Sequence, residues 1–243
     1  MRFLKTALLA LGLSMAMIPP SLSAEKPLKV VLVSGAKIYE TGVSLPKFKD
    51  YLETHYPVDC TLIHTDNKEE LPGLEALEDC DTALFFTRRM KIDGEDLEKV
   101  KEYLSGGHPI VALRTASHGF QNYLEFDKEV LGGNYDGHFK EGIPMEIRVT
   151  REGKDHPALQ GVGRIETVSS LYRTAPIAED ATLLMEATTA DSTQPLVWTR
   201  EHNGGRVLYA GLGTVEDFEQ ESFKRLVANA LFWTAGKEIP EPK

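Results

Sequence analysis

Four short apolar runs, each cut off by glycine or polar residues and each followed by a helical pattern, leave few folds open to this chain. They cover residues 28–34, 58–65, 81–87 and 110–113. Runs of this length, rich in β-branched and aromatic residues, read as strands buried on both faces, the signature of a parallel sheet. In the first intervening segment Leu45, Phe48, Leu52 and Tyr56 share a helical face. Ser44 is the expected cap there, and Pro46 falls in the first turn. A short helix is expected over residues 69–77. The next helix buries Leu97, Val100, Tyr103 and Leu104, with Asp93 as cap, Asp96 close to a capping-box position and Gly106-Gly107 as stop. A broken helix over residues 120–131 ends at Gly132-Gly133.

From residue 133 the rhythm changes. Short strand-like segments follow at 145–150, 166–169, 182–187, 195–199 and 206–210, with Asn203-Gly204 as a hairpin turn between the last two. An amphipathic helix over 218–233 closes the pattern, with Phe223, Leu226, Val227, Ala230 and Leu231 inward. The expected fold class is α/β: one doubly wound domain whose sheet is mainly parallel with an antiparallel extension.

The first 24 residues are set apart. Arg2 and Lys5 precede an apolar stretch from Ala7 to Ile18, then two prolines and the small residues Ser21, Ser23 and Ala24. That order is a secretory signal peptide over residues 1–24, too short in its apolar part to span a bilayer well. It implies a periplasmic or secreted protein with a domain over 25–238 and a disordered tail over 239–243. Cys60 and Cys80 could be oxidised in such a compartment, but their places in the pattern favour two separate buried thiols. A net charge of -10 with no basic run argues against nucleic acid or a membrane surface as partner.

In such a sheet the C-terminal strand ends share one edge, where ligands bind. The residues expected there are Lys37 and Tyr39, Asp66, Arg88 and Arg89, the turn Arg114 to His118, and Thr214 to Asp217. Arg114 is the sharpest of them. A guanidinium at the end of a buried strand needs a carboxylate, with Asp66, Asp136 and Asp217 as candidates, or a ligand anion. His118 sits near a helix start, where the dipole favours neutral imidazole, a base or a metal ligand. His138 lies in the loop expected to fold back over the same edge. The two histidines lack a ligand-spacing signature, so no metal or other cofactor is expected. Ser117 is a conceivable nucleophile, but no G-x-S-x-G elbow surrounds it, and its side chain should diverge from that of His118. No G-x-G-x-x-G or P-loop is present. His156 and His202 read as structural.

Six stretches carry a resemblance: residues 110–118 (IVALRTASH), 131–139 (LGGNYDGHF), His156-Pro157, 195–198 (PLVW), 205–213 (GRVLYAGLG) and 229–233 (NALFW). In this order they resemble ThuA-like (trehalose utilisation) proteins, related in fold to glutamine amidotransferases, from about residue 28 to 233, nearly the whole chain after the expected leader. The resemblance implies a flavodoxin-like, class I glutamine amidotransferase-like sheet and a role with sugars or oxidised sugar derivatives. It also exposes departures. Arg114 stands where the amidotransferases carry their nucleophilic cysteine. Lys37 and Ile38, Thr214, and Ser169-Ser170 before Tyr172 replace residues usual in the family. A Cys-His-Glu triad cannot be assembled, since guanidinium is no nucleophile.

The expected site therefore joins Arg88, Arg89, Thr115, Ser117, His138, Tyr172 and Arg173 as ligand contacts to His118 as general base and Arg114 as electrophilic stabiliser. The expected partner is a small carbohydrate or anionic sugar derivative, and a homo-oligomer is compatible with this. The alternative is a carbohydrate-binding or scaffold protein that keeps the pocket without catalysis.

Overall fold

A computed structural model describes residues 26–243; the expected leader lies outside them. The four front runs form β1 (Leu28–Gly35), β2 (Val58–His64), β3 (Thr82–Thr87) and β4 (Ile110–Leu113). The rear half supplies β5 (Glu146–Val149), β6 (Thr182–Thr188), β7 (Thr193–His202) and β8 (Gly205–Ala210). Among the described residues these form one sheet in the order β2-β1-β3-β4-β8-β7-β6-β5. From β2 to β8 all neighbours are parallel, and from β8 to β5 all are antiparallel. The expected fold class is the observed one.

Helices cover both faces: α1 (Thr41–His55), α2 (Gly94–Ser105), α3 (Val215–Glu219) and α4 (Glu221–Thr234). Alternate residues of β1 serve the two layers. Val30 and Leu32 join Phe48, Leu52, Phe223 and Leu226 under α1 and α4. Val31 and Val33 join Leu97, Val100 and Phe120 on the α2 side. β3 and β4, buried along their whole length, carry the middle of both layers.

Local signals failed where side chains took over backbone bonds. Residues 166–169 form no strand, because the Glu166 N–H donates to the Gln220 side chain at 2.9 Å instead of a ladder. Gln220 is extended (φ -86°, ψ 126°), so the expected 218–233 helix divides into α3 and α4. Glu40, in a left-handed conformation (φ 50°), starts α1 ahead of Ser44. Pro46 thus lies inside α1, not in its first turn. Asp93 does precede α2, but its side chain makes no capping bond. Asp96 accepts from the Leu71 N–H at 3.3 Å instead of closing a capping box. Residues 69–77 yield a 3-10 turn over Leu74–Asp79, and the broken helix after β4 reduces to a π turn over Phe126–Leu131. The hairpin forms where expected: Asn203 and Gly204 have φ of 49° and 86°, as a type I′ turn requires.

The tail expected to be disordered packs down. Ile239 lies on the core, Glu241 pairs with Arg225 at 2.8 Å, and the Lys243 N–H donates to His55 O at 3.0 Å. Cys60 and Cys80 are separate free thiols, the second donating to Tyr103 Oη at 3.5 Å. Among the described residues no helix is long and apolar enough to cross a membrane.

Leu113, fully buried at the end of β4, tests this architecture. Leu113→Ala should cost about 2–5 kcal/mol in urea unfolding. Leu124→Ala, at a residue 63% exposed, should stay within about 0.5 kcal/mol.

Candidate functional site

β4 stops at Leu113, and Arg114 turns the chain with φ of +42°, an uncommon angle for a residue with a side chain. This strand-to-turn corner faces the C-terminal edge of the parallel strands. The Arg114 side chain is nevertheless only 2% exposed. Its Nη1 donates to Gly211 O at 3.0 Å and Ser170 O at 3.4 Å, and its Nη2 donates to Ser170 O at 3.3 Å and Ser170 Oγ at 3.2 Å. Nε is buried without a partner. The guanidinium carbon lies 4.4 Å from the Tyr172 ring centre and 5.1 Å from that of Tyr39. Carbonyl dipoles and phenol faces thus hold the cation.

None of the expected counter-ions pairs with Arg114. Asp66 lies with Lys37 and His64. Asp217 accepts the Gly213 and Thr214 N–H groups at 2.7 and 2.9 Å and closes a capping box on α3. Burial raises the Asp217 pKa above the usual carboxylate range. Among the described residues no carboxylate reaches Arg88, Arg89, Arg114 or Arg173 within the 4.0 Å of an ion pair, although exposed lysines and other arginines make such pairs.

His118 stands half-buried at the far end of the same turn, its ring stacked on Tyr135 at 4.2 Å and 18°. Burial, then the positive Arg88, Arg89 and Arg114, then His138, push its pKa down to about 3. The imidazole is neutral as expected, but for a different reason. His118 ends a 3-10 turn, Arg114–His118, so no helix N-terminus acts on it. Its Nδ1 lies 3.1 Å from Ser117 Oγ, so these neighbours converge where divergence was expected. Ser117 Oγ is also within 3.2 Å of Arg114 O, and among the described residues no carboxylate orients the imidazole, so the pair lacks the third member of a triad there.

The other expected residues divide. The Arg89 N–H donates to His118 O at 2.9 Å, which ties the end of β3 to the turn, and the Arg89 side chain is exposed. Arg88 is half-buried beside it. Tyr172 and His138 form an isolated β-bridge, with rings 6.4 Å apart, and the Arg173 guanidinium lies 4.6 Å over Phe139. Thr115 does not reach the site. It is fully buried and donates to Thr87 O at 2.8 Å, so it holds the turn and cannot bind a ligand. Among the described residues no three His, Cys, Asp or Glu side chains gather as a metal would need.

Sequence reasoning missed three contributors. Tyr135 packs between His118 and Tyr172, 4.8 Å from the latter ring. Its place in the Gly133-Asn-Tyr-Asp-Gly loop was the available signal. Asp127, 6% exposed, accepts the Tyr135 N–H at 2.7 Å and fixes that loop, and burial raises its pKa to about 6. Its signal was a lone acid among Phe126, Val130 and Leu131. The carbonyls of Ser170 and Gly211 had no side-chain signal. A cavity of about 560 Å³, lined by Lys29, Cys80, Phe232 and Lys237, lies at the opposite edge of the sheet, away from this constellation.

The His118 pKa has a consequence for stability. The folded value lies below the ordinary 6.5, so the unfolded chain takes up a proton first as pH falls. The contribution of this site is complete above about pH 6.5 and is lost progressively towards about 3. Asp127, with its raised pKa, acts in the opposite direction. Unfolding midpoints of wild type and His118→Gln should therefore converge as pH falls from 7 to 4. A constant gap would contradict the buried neutral imidazole.

The comparisons with known proteins agree with the fold. A ThuA-like protein from Parabacteroides merdae superposes with a TM-score of 0.69 at 18% identity, over 89% of this chain and 93% of that one. One from Bacteroides uniformis gives 0.66 at 18% identity, over 88% and 94%. A Thermoplasma acidophilum protein described as part of a GMP synthase gives 0.55 at 14% identity, over 87% and 96%. At these identities the likeness shows a shared flavodoxin-like fold. No curated protein matches the sequence. The family model ThuA, described as trehalose utilisation, matches residues 29–234, and the chain belongs to the ThuA family.

Proposed function

We propose that the crest above β4 binds an anionic, polyhydroxylated sugar derivative and processes it by proton transfer. The carrying observation is the set of four arginines, Arg88, Arg89, Arg114 and Arg173, left without carboxylate partners among the described residues. The chain has 37 acidic against 27 basic residues, so acids to pair with are plentiful. Arg88, Arg89 and Arg173, exposed or half-buried beside two histidines and three tyrosines, suit an acidic ligand with many hydroxyls, while Arg114 is enclosed beneath them by carbonyls and phenols. The likeness to trehalose-utilisation proteins supports a sugar.

Glutamine hydrolysis is not the proposed chemistry. Arg114 fills the corner where a thiolate would have to stand. Cys60 lies within β2, its thiol pushed up to about 12 by burial, and Cys80 lines the opposite edge. The leader expected over residues 1–24 supports a periplasmic or secreted place of action.

A second reading, binding without catalysis, has one observation in its favour. An imidazole titrating at about 3 is unprotonated at neutral pH but a weak base. His118 then orients a sugar hydroxyl and does not carry its proton.

Calorimetry with glucuronate and glucose tests the site. Glucuronate should bind and glucose should bind far more weakly. Arg88→Gln and Arg89→Gln should each weaken glucuronate about tenfold, the loss of one charge-assisted hydrogen bond of about 1.5 kcal/mol. Equal binding of the two sugars, or variants that leave glucuronate affinity unchanged, would contradict the assignment.

A further inference from the structure

Tyr39 reaches the crest from the turn after β1. It ends the 3-10 turn Lys37–Tyr39 after β1, and its N–H donates to Ala36 O at 2.8 Å. Glu40, in the left-handed region, then redirects the chain into α1, while Thr41 Oγ1 accepts the Ala36 N–H at 3.1 Å. These bonds fix the backbone that carries the phenol. Its ring lies 6.0 Å from Phe86 and 5.1 Å from the Arg114 guanidinium, and its Oη is 3.4 Å from Tyr172 Oη. Tyr172 is 4% exposed, whereas Tyr39 is only half-buried. Of the two phenols that flank Arg114, Tyr39 is the one a ligand can reach.

We propose that Tyr39 is the acid–base residue of the crest, with Arg114 as its counter-charge and Tyr172 as its hydrogen-bond donor. The inference rests on the reading of the crest as a ligand site and names the group that moves the proton there. The balance is simple. The O–H bond of a sugar hydroxyl breaks and its electron pair stays on the sugar oxygen. The proton forms the O–H bond of Tyr39, which returns it when the oxygen is released. Arg114 then faces a neutral phenol, and Arg88 faces the developing alkoxide.

The electrostatics of the eight tyrosines agree. Burial opposes ionisation of Tyr39, but Arg114, the hydrogen bond with Tyr172 and Arg88 outweigh it, and its pKa is lowered. The other seven are all raised, burial being the largest cause in each. The groups facing Tyr39 are Arg114 from the end of β4, Arg88 from the end of β3, and Tyr172 and Tyr135 from the two loops. A phenolate at Tyr39, 5.1 Å from the guanidinium carbon at its ring centre, also supplies the negative charge that no carboxylate among the described residues brings to Arg114.

Spectrophotometric titration at 295 nm reads phenolate directly and needs no ligand. The folded protein should show one early step with the amplitude of one tyrosine. Tyr39→Phe should remove it, Arg88→Gln should move it to higher pH, and Tyr135→Phe should leave it in place. Saturating glucuronate should also move it upward, because the bound carboxylate opposes a second negative charge. The proposal is overturned if the early step survives Tyr39→Phe, if all eight tyrosines ionise together, or if glucuronate binds without shifting it. Failure of glucuronate to bind, with the early step present and lost in Tyr39→Phe, counts against the sugar assignment and not against the ionisation of Tyr39.

Discussion

A guanidinium buried with no carboxylate partner among the described residues is the constraint around which the upper edge of this molecule is arranged. Arg114 joins four pieces of chain: the end of β4, the carbonyl of Gly211 just past β8, the Ser170 to Tyr172 segment, and the turn after β1 that carries Tyr39. Each supplies a dipole or a π face, and none supplies a full negative charge. Burial of an unpaired ion is costly, so such an arrangement persists where the surroundings over-determine it. Tyr209 adds to this by donating to Arg114 O at 2.8 Å, which holds the left-handed backbone from below.

The same constraint explains the site's electrostatics. Burial does most to keep His118 neutral, and the positive Arg88, Arg89 and Arg114 add to it. The fixed Arg114 cation favours an adjacent anion, so the most accessible phenol beside it ionises more readily. Two titratable groups near one guanidinium are thereby pushed towards the forms that carry no second positive charge. Perturbed pKa values gathered in one cluster are a recurring mark of functional sites. The loop from Gly133 to Phe139 completes the wall. Asp127 pins it at one end and the His138–Tyr172 bridge at the other, and Tyr135 thereby covers the imidazole.

Much of the fold was legible because it rests on burial. β1, β3 and β4 announce themselves as continuous apolar runs, and Asn203-Gly204 needs no tertiary context to turn. The errors fall where a side chain competes for the backbone. Gln220 breaks a helix whose apolar period runs on unbroken, and the same side chain takes the N–H that would have started a strand at Glu166. At the site, topology alone placed Arg88, Arg114 and His118 on one edge, since parallel strands end together. The carbonyls that hold Arg114 left no trace in the sequence, because any residue carries one. Thr115 was misplaced because a polar side chain in a turn is as suited to closing that turn as to meeting a ligand. The carboxylate partner for Arg114, expected on general grounds, is replaced by carbonyl oxygens and phenols.

We propose this corner, where no carboxylate among the described residues reaches Arg114, as the place where an anionic sugar derivative binds. A crystal structure of the protein with glucuronate tests it most directly. The account predicts the sugar over the turn Arg114–His118, its carboxylate within hydrogen-bond distance of Arg88 or Arg89 and a hydroxyl facing Tyr39. A sugar seated in the cavity beside Lys29 and Phe232, with the crest empty at saturating ligand, would contradict it.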